Sequence, residues 1–436
     1  MRKLSAALLS LFAIPLPLCA APAPFPAFRT QEIDKSLTVG YAVRLVDVNA
    51  DGKSDIVVCD SKRVIWFDNA GGWKPHTITE GKAKPDNVCI AFQDLDGDGK
   101  LDLVLGADWQ FNNTRGGGSL QWFRQGESVD QPWEMHPILN ELPTLHRIHF
   151  GNVSGDERPE LIVGPLKGRD STQEQNFMDK PTQLLAFPVP KDPAAGPWEP
   201  AVLAGDLHVM HNFLPIDFDQ TGKAGVLTAS YEGVSYVSPG GDGKWTTRLV
   251  GAGFQDDPKG SRGASEVKVG RLKNGKRFIA TAEPFHGNYV VAYTEGTDPK
   301  GLWKRTVVDE QIKWGHAVWC ADLDGDGADE FVLGFRDPLP SSRGPGVNVY
   351  RASASSGGAS GGGGASAETV TWEKHVIDDK GVATEDMTCG DLNGDGRVDI
   401  VAVGRATHNV RIYWNEGMPG RQASPPTQSP AAAPGR

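Results

Sequence analysis

Three of the ten histidines in this 436-residue chain share one place in a repeating pattern. His146, His211 and His316 each stand six residues before the first residue of a Gly-rich or acidic turn, at Asn152, Asp217 and Asp322. The same place in the other repeats holds Tyr41, Val88, Ser265 and Glu385, with Asn87 one residue away from Val88. A second set follows the apolar run after each turn: Trp109, Lys167 with Arg169, Tyr231, Glu283 with His286, Arg336 and Arg405. Gathered at one opening, these types suit β-elimination beside a carboxylate or ketone. An imidazole or phenol near its operating pKa takes the proton from an acidic carbon, and another group protonates the leaving oxygen. Arg, Lys or a metal neutralises the developing enolate. Catalytic roles fall to His146, His211, His316, Lys167, Tyr231 and Arg336. Substrate contacts fall to Tyr41, Asn87, Trp109, Arg169, Glu283, His286, Glu385 and Arg405, with Trp109 offering a stacking face. His146, His211 and His316 would equally serve as ligands of a catalytic divalent ion such as Zn²⁺, leaving a position open. The alternatives are histidines that merely line a solvated channel, or a cleft that binds without reacting. Glycoside hydrolysis would need paired carboxylates across the opening, Glu283 with Glu385 for example.

The turns carry chemistry of their own. Four read D-x-[DN]-x-D-G-x-x-[DE], a spacing that brings hard oxygen ligands together and uses Gly for the tight bend, as Ca²⁺ requires. The candidate ligands are Asp47, Asn49, Asp51 and Asp55; Asp94, Asp96, Asp98 and Asp102; Asp322, Asp324, Asp326 and Glu330; and Asp391, Asn393, Asp395 and Asp399. The copies at Asn152, Asp217 and Arg271 lack the full set and are expected to be metal-free. Calcium here would be structural, on the rim opposite the histidines.

What positions these groups is a seven-fold repeat. The turns recur at steps of 47, 58, 65, 54, 51 and 69 residues. Each precedes an apolar run such as IVVCD, LVLGAD or FVLGF, then a strand ending in aromatics such as VIWF or RIYW. A third marker pairs an aromatic with an aliphatic five residues later, from Trp73/Ile78 to Trp372/Ile377. It occurs six times, the last repeat lacks it, and the missing copy is Phe28/Ile33 at the other end of the chain. Four short strands per repeat and one strand displaced to the far terminus describe a ring that must close. The expected fold is all-β, a seven-bladed β-propeller of four-stranded blades whose N-terminal strand completes the last blade. Blades are expected near 40–80, 84–140, 142–205, 206–253, 262–310, 312–379 and 382–416, with residues 352–367 a solvated loop and 417–436 a disordered Pro/Ala-rich tail. His76, His136 and His375 each follow a Trp by three on outermost strands and are expected to pack or face solvent, as is mid-strand His149.

Composition narrows the partners. With 44 Lys and Arg against 55 Asp and Glu the net charge is -11, which argues against nucleic acid. Gly 53 and Pro 31 are too many for a helical protein. Residues 1–20 read as a secretory signal, with Arg2 and Lys3 before an apolar stretch and cleavage after Ala20, so the protein is expected in the periplasm or outside the cell. No later run is long enough to span a membrane. Bulky Leu18 before Cys19 argues against lipidation. Cys59, Cys89, Cys320 and Cys389 are too few and too scattered for a disulfide framework.

The acidic turns between apolar strands resemble the FG-GAP/VCBS repeats of integrin-type seven-bladed propellers. Two stretches, HRIHFGNVSGDERPELIVGPLKGR from His146 and WGHAVWCADLDGDGADEFVLGFRD from Trp314, are similar to the propeller domain of aldos-2-ulose dehydratases. More loosely, they are similar to propeller-fold polysaccharide lyases that cut next to glucuronate. The resemblance implies β-elimination on a uronate- or keto-sugar in a cleft on the propeller face. The chain has no room for the dehydratase's cupin domains, so a second, isomerase activity is not expected. Integrin-like propellers point instead to a non-catalytic glycan- or protein-binding module.

Overall fold

The computed structural model describes residues 24–419 apart from 157, 242, 258, 297, 299, 337–343 and 356–368. The signal segment, most of the Gly/Ser-rich loop and most of the C-terminal tail lie outside the described residues. Seven four-stranded antiparallel sheets follow one another around a ring; six run from inner to outer strand in chain order, and the seventh takes its outer strand from the N-terminal end. The blades occupy 40–80, 89–139, 145–207, 212–251, 268–309, 315–379 and 384–417, close to the expected bounds. The third blade's outer strand, Ala201–Leu207, runs slightly past the expected end. Among the described residues the one helical element is a short 3₁₀ turn, Gln173–Gln175.

The ring closes as the sequence required. Ala27–Asp34 pairs antiparallel with Val410–Gly417 and forms the outer strand of the seventh blade. Trp414 Nε1 donates to Gln31 Oε1 at 2.8 Å, and Glu32 accepts from Asn409 and Arg411 at 2.9 and 3.1 Å. Closure covers the edge that Val410–Gly417 would otherwise present.

Alternating apolar residues of adjacent blades form the core. Trp66, Trp122, Trp133 and Trp198 are buried there with the paired aliphatics of the third marker. The outer-strand histidines cover these aromatics: His76 stacks on Trp66 at 4.4 Å, His136 on Trp122 at 4.7 Å and His375 on Phe25 at 3.8 Å. His149 is buried edge-on against Phe213. Among the described residues, Cys59, Cys89, Cys320 and Cys389 carry free thiols.

The turns show what their last carboxylate does. Asp55 takes the amides of Val48 and Asn69, Asp102 those of Leu95 and Gln125, and Asp399 those of Leu392 and Asn415. Glu330 takes Leu323 and Asp324, and Glu160, in a turn without the full acidic set, takes Val153 and Ser154. This position therefore clamps the turn to its strand, with or without an ion. Asp94, Asp96 and Asp102 each bring an oxygen within 4.8 Å of the others, as do Asp322, Asp324 and Glu330. Asp98 and Asp326 stand outside these groups. Their carboxylates accept the amides of Lys100 and Ala328, and Asp326 also pairs with Lys273.

Candidate active site

The blades' inner strands begin at one mouth of the ring, and there the backbone departs from regular pairing. In four blades the inner and second strands slip register by one residue, between Gly40 and Ala42, Leu145 and Arg147, Gly315 and Ala317, and Thr384 and Asp386. The extra residues are Tyr41, His146, His316 and Glu385. A bulge adds one unpaired residue and re-aims its side chain. Here all four turn into a cavity of about 740 Å³. His211 enters it from just before its strand, Asn212–Ile216, with its amide bonded to Ala229 O.

The imidazoles are ordered by carbonyls. His146 Nδ1 lies 2.9 Å from His211 O, His211 Nδ1 lies 3.0 Å from Ser265 O, and His316 Nδ1 lies 2.5 Å from Glu385 O. Each acceptor is the equivalent residue of the next blade. A ring nitrogen facing a carbonyl must carry the hydrogen, so each Nε2 keeps its lone pair. His286 Nε2 comes to 3.0 Å from His211 Nε2. One nitrogen each of His211, His286 and His316 falls within 4.8 Å of the others. Burial holds all four imidazoles well below their ordinary pKa, and the Arg147 guanidinium beside them adds to the effect. They are neutral lone-pair donors at pH 7, the form that ligates a metal or accepts a proton.

This corrects the expected ligand set of His146, His211 and His316. The third partner is His286, expected only to touch substrate. It reaches inward because its backbone is left-handed (φ 50°) and its ring stacks on Phe285 at 4.1 Å. His146 stands aside, its ring 4.9 Å from Trp109 and its Nε2 3.3 Å from Arg147.

Around the histidines, Glu385 pairs with Arg336 and, at 3.0 Å, with Arg405, which lies over the Tyr41 ring. Burial and the neighbouring Asp86 carboxylate raise the Tyr41 pKa, so its hydroxyl stays protonated. Thus Tyr41, Trp109, His286, Arg336, Glu385 and Arg405 line the cavity with His146, His211 and His316. Five expected residues do not. Lys167 is buried between the Phe111 and Phe177 rings, 3.6 and 3.7 Å from their centroids, and donates to Phe111 O; desolvation brings its pKa down to about 8. Tyr231 packs behind Phe285. Asn87 donates to Asp60 O. Arg169 points outward to Glu141. Glu283 ends its strand between sheets, bonded to Tyr293 and Arg305, so the carboxylate pair proposed for hydrolysis does not face across the cavity. Phe111 and Trp314 also line the cavity and were not expected there, while His408, which the sequence places beside Arg405 without a role, joins them. Trp314, directly before a bulged strand, carries the one signal that was available.

Residues 117–296 match the family described as aldos-2-ulose dehydratase, beta-propeller domain, and residues 47–105 match an FG-GAP-like repeat. The first match spans His146, His211 and His286. The chain is 26% identical over 365 residues to aldos-2-ulose dehydratase of Phanerodontia chrysosporium. The chain is a seven-bladed propeller that is similar to an FG-GAP-like repeat over 47–105 and to the dehydratase's propeller domain over 117–296. That alignment covers 75% of this chain but only 37% of the dehydratase. A solved structure of BBS1N in complex with ARL6DN shares the fold, with a TM-score of 0.51 and 11% identity over 92% of this chain and 98% of that one. Among the described residues no helix is long and apolar enough to cross a membrane.

Proposed function

We propose that this propeller is an exported carbohydrate dehydratase that eliminates water from a keto-sugar in the histidine-lined cavity, with a divalent ion such as Zn²⁺ held by His211, His286 and His316. The observation that carries the reading is the convergence of three imidazole nitrogens, two of them on buried rings whose other nitrogen is tied to a backbone carbonyl. Such outer bonds fix the tautomer that a metal needs. When bound, the ion supplies Lewis-acid polarisation of the sugar carbonyl. The chain's own residues do the rest. Trp109 and Trp314 offer faces for the sugar ring. His146 Nε2 takes the proton from the carbon beside the carbonyl, and the electron pair left behind expels the hydroxyl one carbon further on. Tyr41 gives that hydroxyl a proton, so water and an enone are formed. Arg336 and Arg405 are both engaged by Glu385. The choice of a keto-sugar over a uronate follows the relative's name.

Half-exposed Phe111 and Trp314 at the cavity would equally serve a glycan-binding module without chemistry. One experiment separates the two readings. The protein is incubated with aldos-2-uloses and, in parallel, with uronate-containing glycans, and the ultraviolet absorbance of a new conjugated double bond is followed. A signal with keto-sugars that is lost in His286→Ala and kept in His76→Ala supports the dehydratase. Glycan binding with no signal from any substrate refutes it. On the opposite rim we propose structural Ca²⁺ at Asp94, Asp96 and Asp102 and at Asp322, Asp324 and Glu330. The Asp47 and Asp391 turns, of the same spacing, are further candidates.

A further inference from the structure

Behind His211, outside the cavity lining, lies a buried carboxylate. Glu266 follows Ser265 at the start of the fifth blade and is 3% exposed. Its Oε2 accepts from Asn212 Nδ2 at 2.5 Å. Asn212 Oδ1 in turn accepts the Phe213 amide at 2.8 Å, so the orientation of the Asn212 side chain is fixed and its donor must face Glu266. The carboxylate is therefore held from one side only. Its Oε1 lies 2.8 Å from His211 Nδ1 yet makes no hydrogen bond of its own, because the single hydrogen on Nδ1 is directed at Ser265 O. Buried polar oxygens are seldom left unpaired. This one faces the back of the very imidazole whose front points at His286.

We propose that Glu266 is a positioning residue for His211, sharing the Nδ1 hydrogen with Ser265 O and directing electron density through the ring to Nε2. The inference rests on the metal reading of the cavity. A small rotation of the His211 ring moves its hydrogen from the carbonyl to the carboxylate. The added negative charge makes Nε2 a stronger donor toward a cation. A carboxylate behind a ligating histidine typically contributes 10–100-fold to metal affinity. A purely structural Glu266 would be replaceable by its amide.

The test uses the full chain and zinc itself. Wild type and Glu266→Gln are stripped of metal, and Zn²⁺ affinity is measured by competition with a chromophoric chelator. The expected result is 10–100-fold weaker binding in the variant, with an unchanged melting temperature for the metal-free protein. Selective ¹⁵N-histidine labelling gives a metal-free readout: the His211 Nδ1–H signal moves in Glu266→Gln while those of His76 and His136 stay in place. Asn212→Ala, which leaves the carboxylate but removes its support, is expected to weaken zinc in the same direction by a smaller factor. It serves as the deciding variant if Glu266→Gln does not fold. Equal zinc affinity in wild type and variant overturns the inference and leaves the metal reading standing. A wild type that binds no zinc overturns both.

Discussion

Gly334 lies on the second strand of the sixth blade, against the bulge that presents Glu385. A Cβ at Gly334 would come within 2.3 Å of Thr384 Cγ2 and 2.7 Å of Thr384 Cβ. Ordinary carbon contacts are about 3.5–4 Å, so Gly334→Ala must push Thr384 away by roughly 1.2 Å. Thr384 cannot move alone. Its hydroxyl is bonded to Gly346 O, and the next residue supplies both the carboxylate that holds Arg336 and Arg405 and the carbonyl that orders His316. Overpacking of this kind costs about 1–3 kcal/mol. With an unfolding entropy of roughly 2.1 cal/mol/K per residue over 27–417, that amounts to a fall in Tm of about 1–4 °C. The effect on activity should be much larger, since a misplacement of about 1 Å can cost about 100-fold in rate. The control is Gly205→Ala on an outer strand, where an added Cβ meets nothing within 4 Å. Melting temperature and elimination rate are measured on all three proteins. Gly334→Ala with wild-type turnover, or with no more loss than Gly205→Ala, refutes the link between this contact and the cavity.

Three other outcomes are expected. Glu32→Ala removes the ion pair that ties the N-terminal strand to Arg411 and should lower urea stability by about 1–2 kcal/mol, whereas Arg29→Ala, whose pair with Glu416 is exposed, should not be measurable. A chelator that removes Ca²⁺ should lower Tm, by about 3 °C where the ion had been present at about 100 times its Kd, and Asp322→Asn should reduce the calcium stoichiometry measured by metal analysis; no shift and no calcium would dismiss the turn sites. Lys167, with its pKa brought down from 10.5 to about 8, gives up its proton in the folded state before the unfolded chain does. Stability is therefore expected to rise between about pH 8 and 10.5, because the unfolded chain then binds more protons, and Lys167→Met should abolish that rise in urea titrations.

The ring was legible because its evidence is periodic. Three markers recur with the blades, and the displaced Phe28/Ile33 copy could only be an outer strand supplied from the far terminus. The counting rule that placed His146, His211 and His316 together worked because these three blades keep the same spacing between mouth and turn, although their inner strands vary from five to seven residues. What it could not show was direction. Neither His286, aimed by a left-handed backbone, nor the bulges at Tyr41 and Glu385 alter the apolar alternation of a sequence. Lys167 and Glu283 were misjudged for the converse reason. Both sit where a second strand ends, but Lys167 is captured by aromatics on two loops of irregular path, and Glu283 is drawn between sheets by Tyr293 and Arg305.

The carbonyl that orders each buried imidazole belongs to the following blade: His146 leans on blade four, His211 on blade five and His316 on blade seven. No blade is self-sufficient in this respect. Removing blade four, five or seven would take away the acceptor of His146, His211 or His316, even if the toroid still closed. Because each acceptor is a main-chain oxygen, a blade set in its place must match the backbone path there rather than any particular side chain.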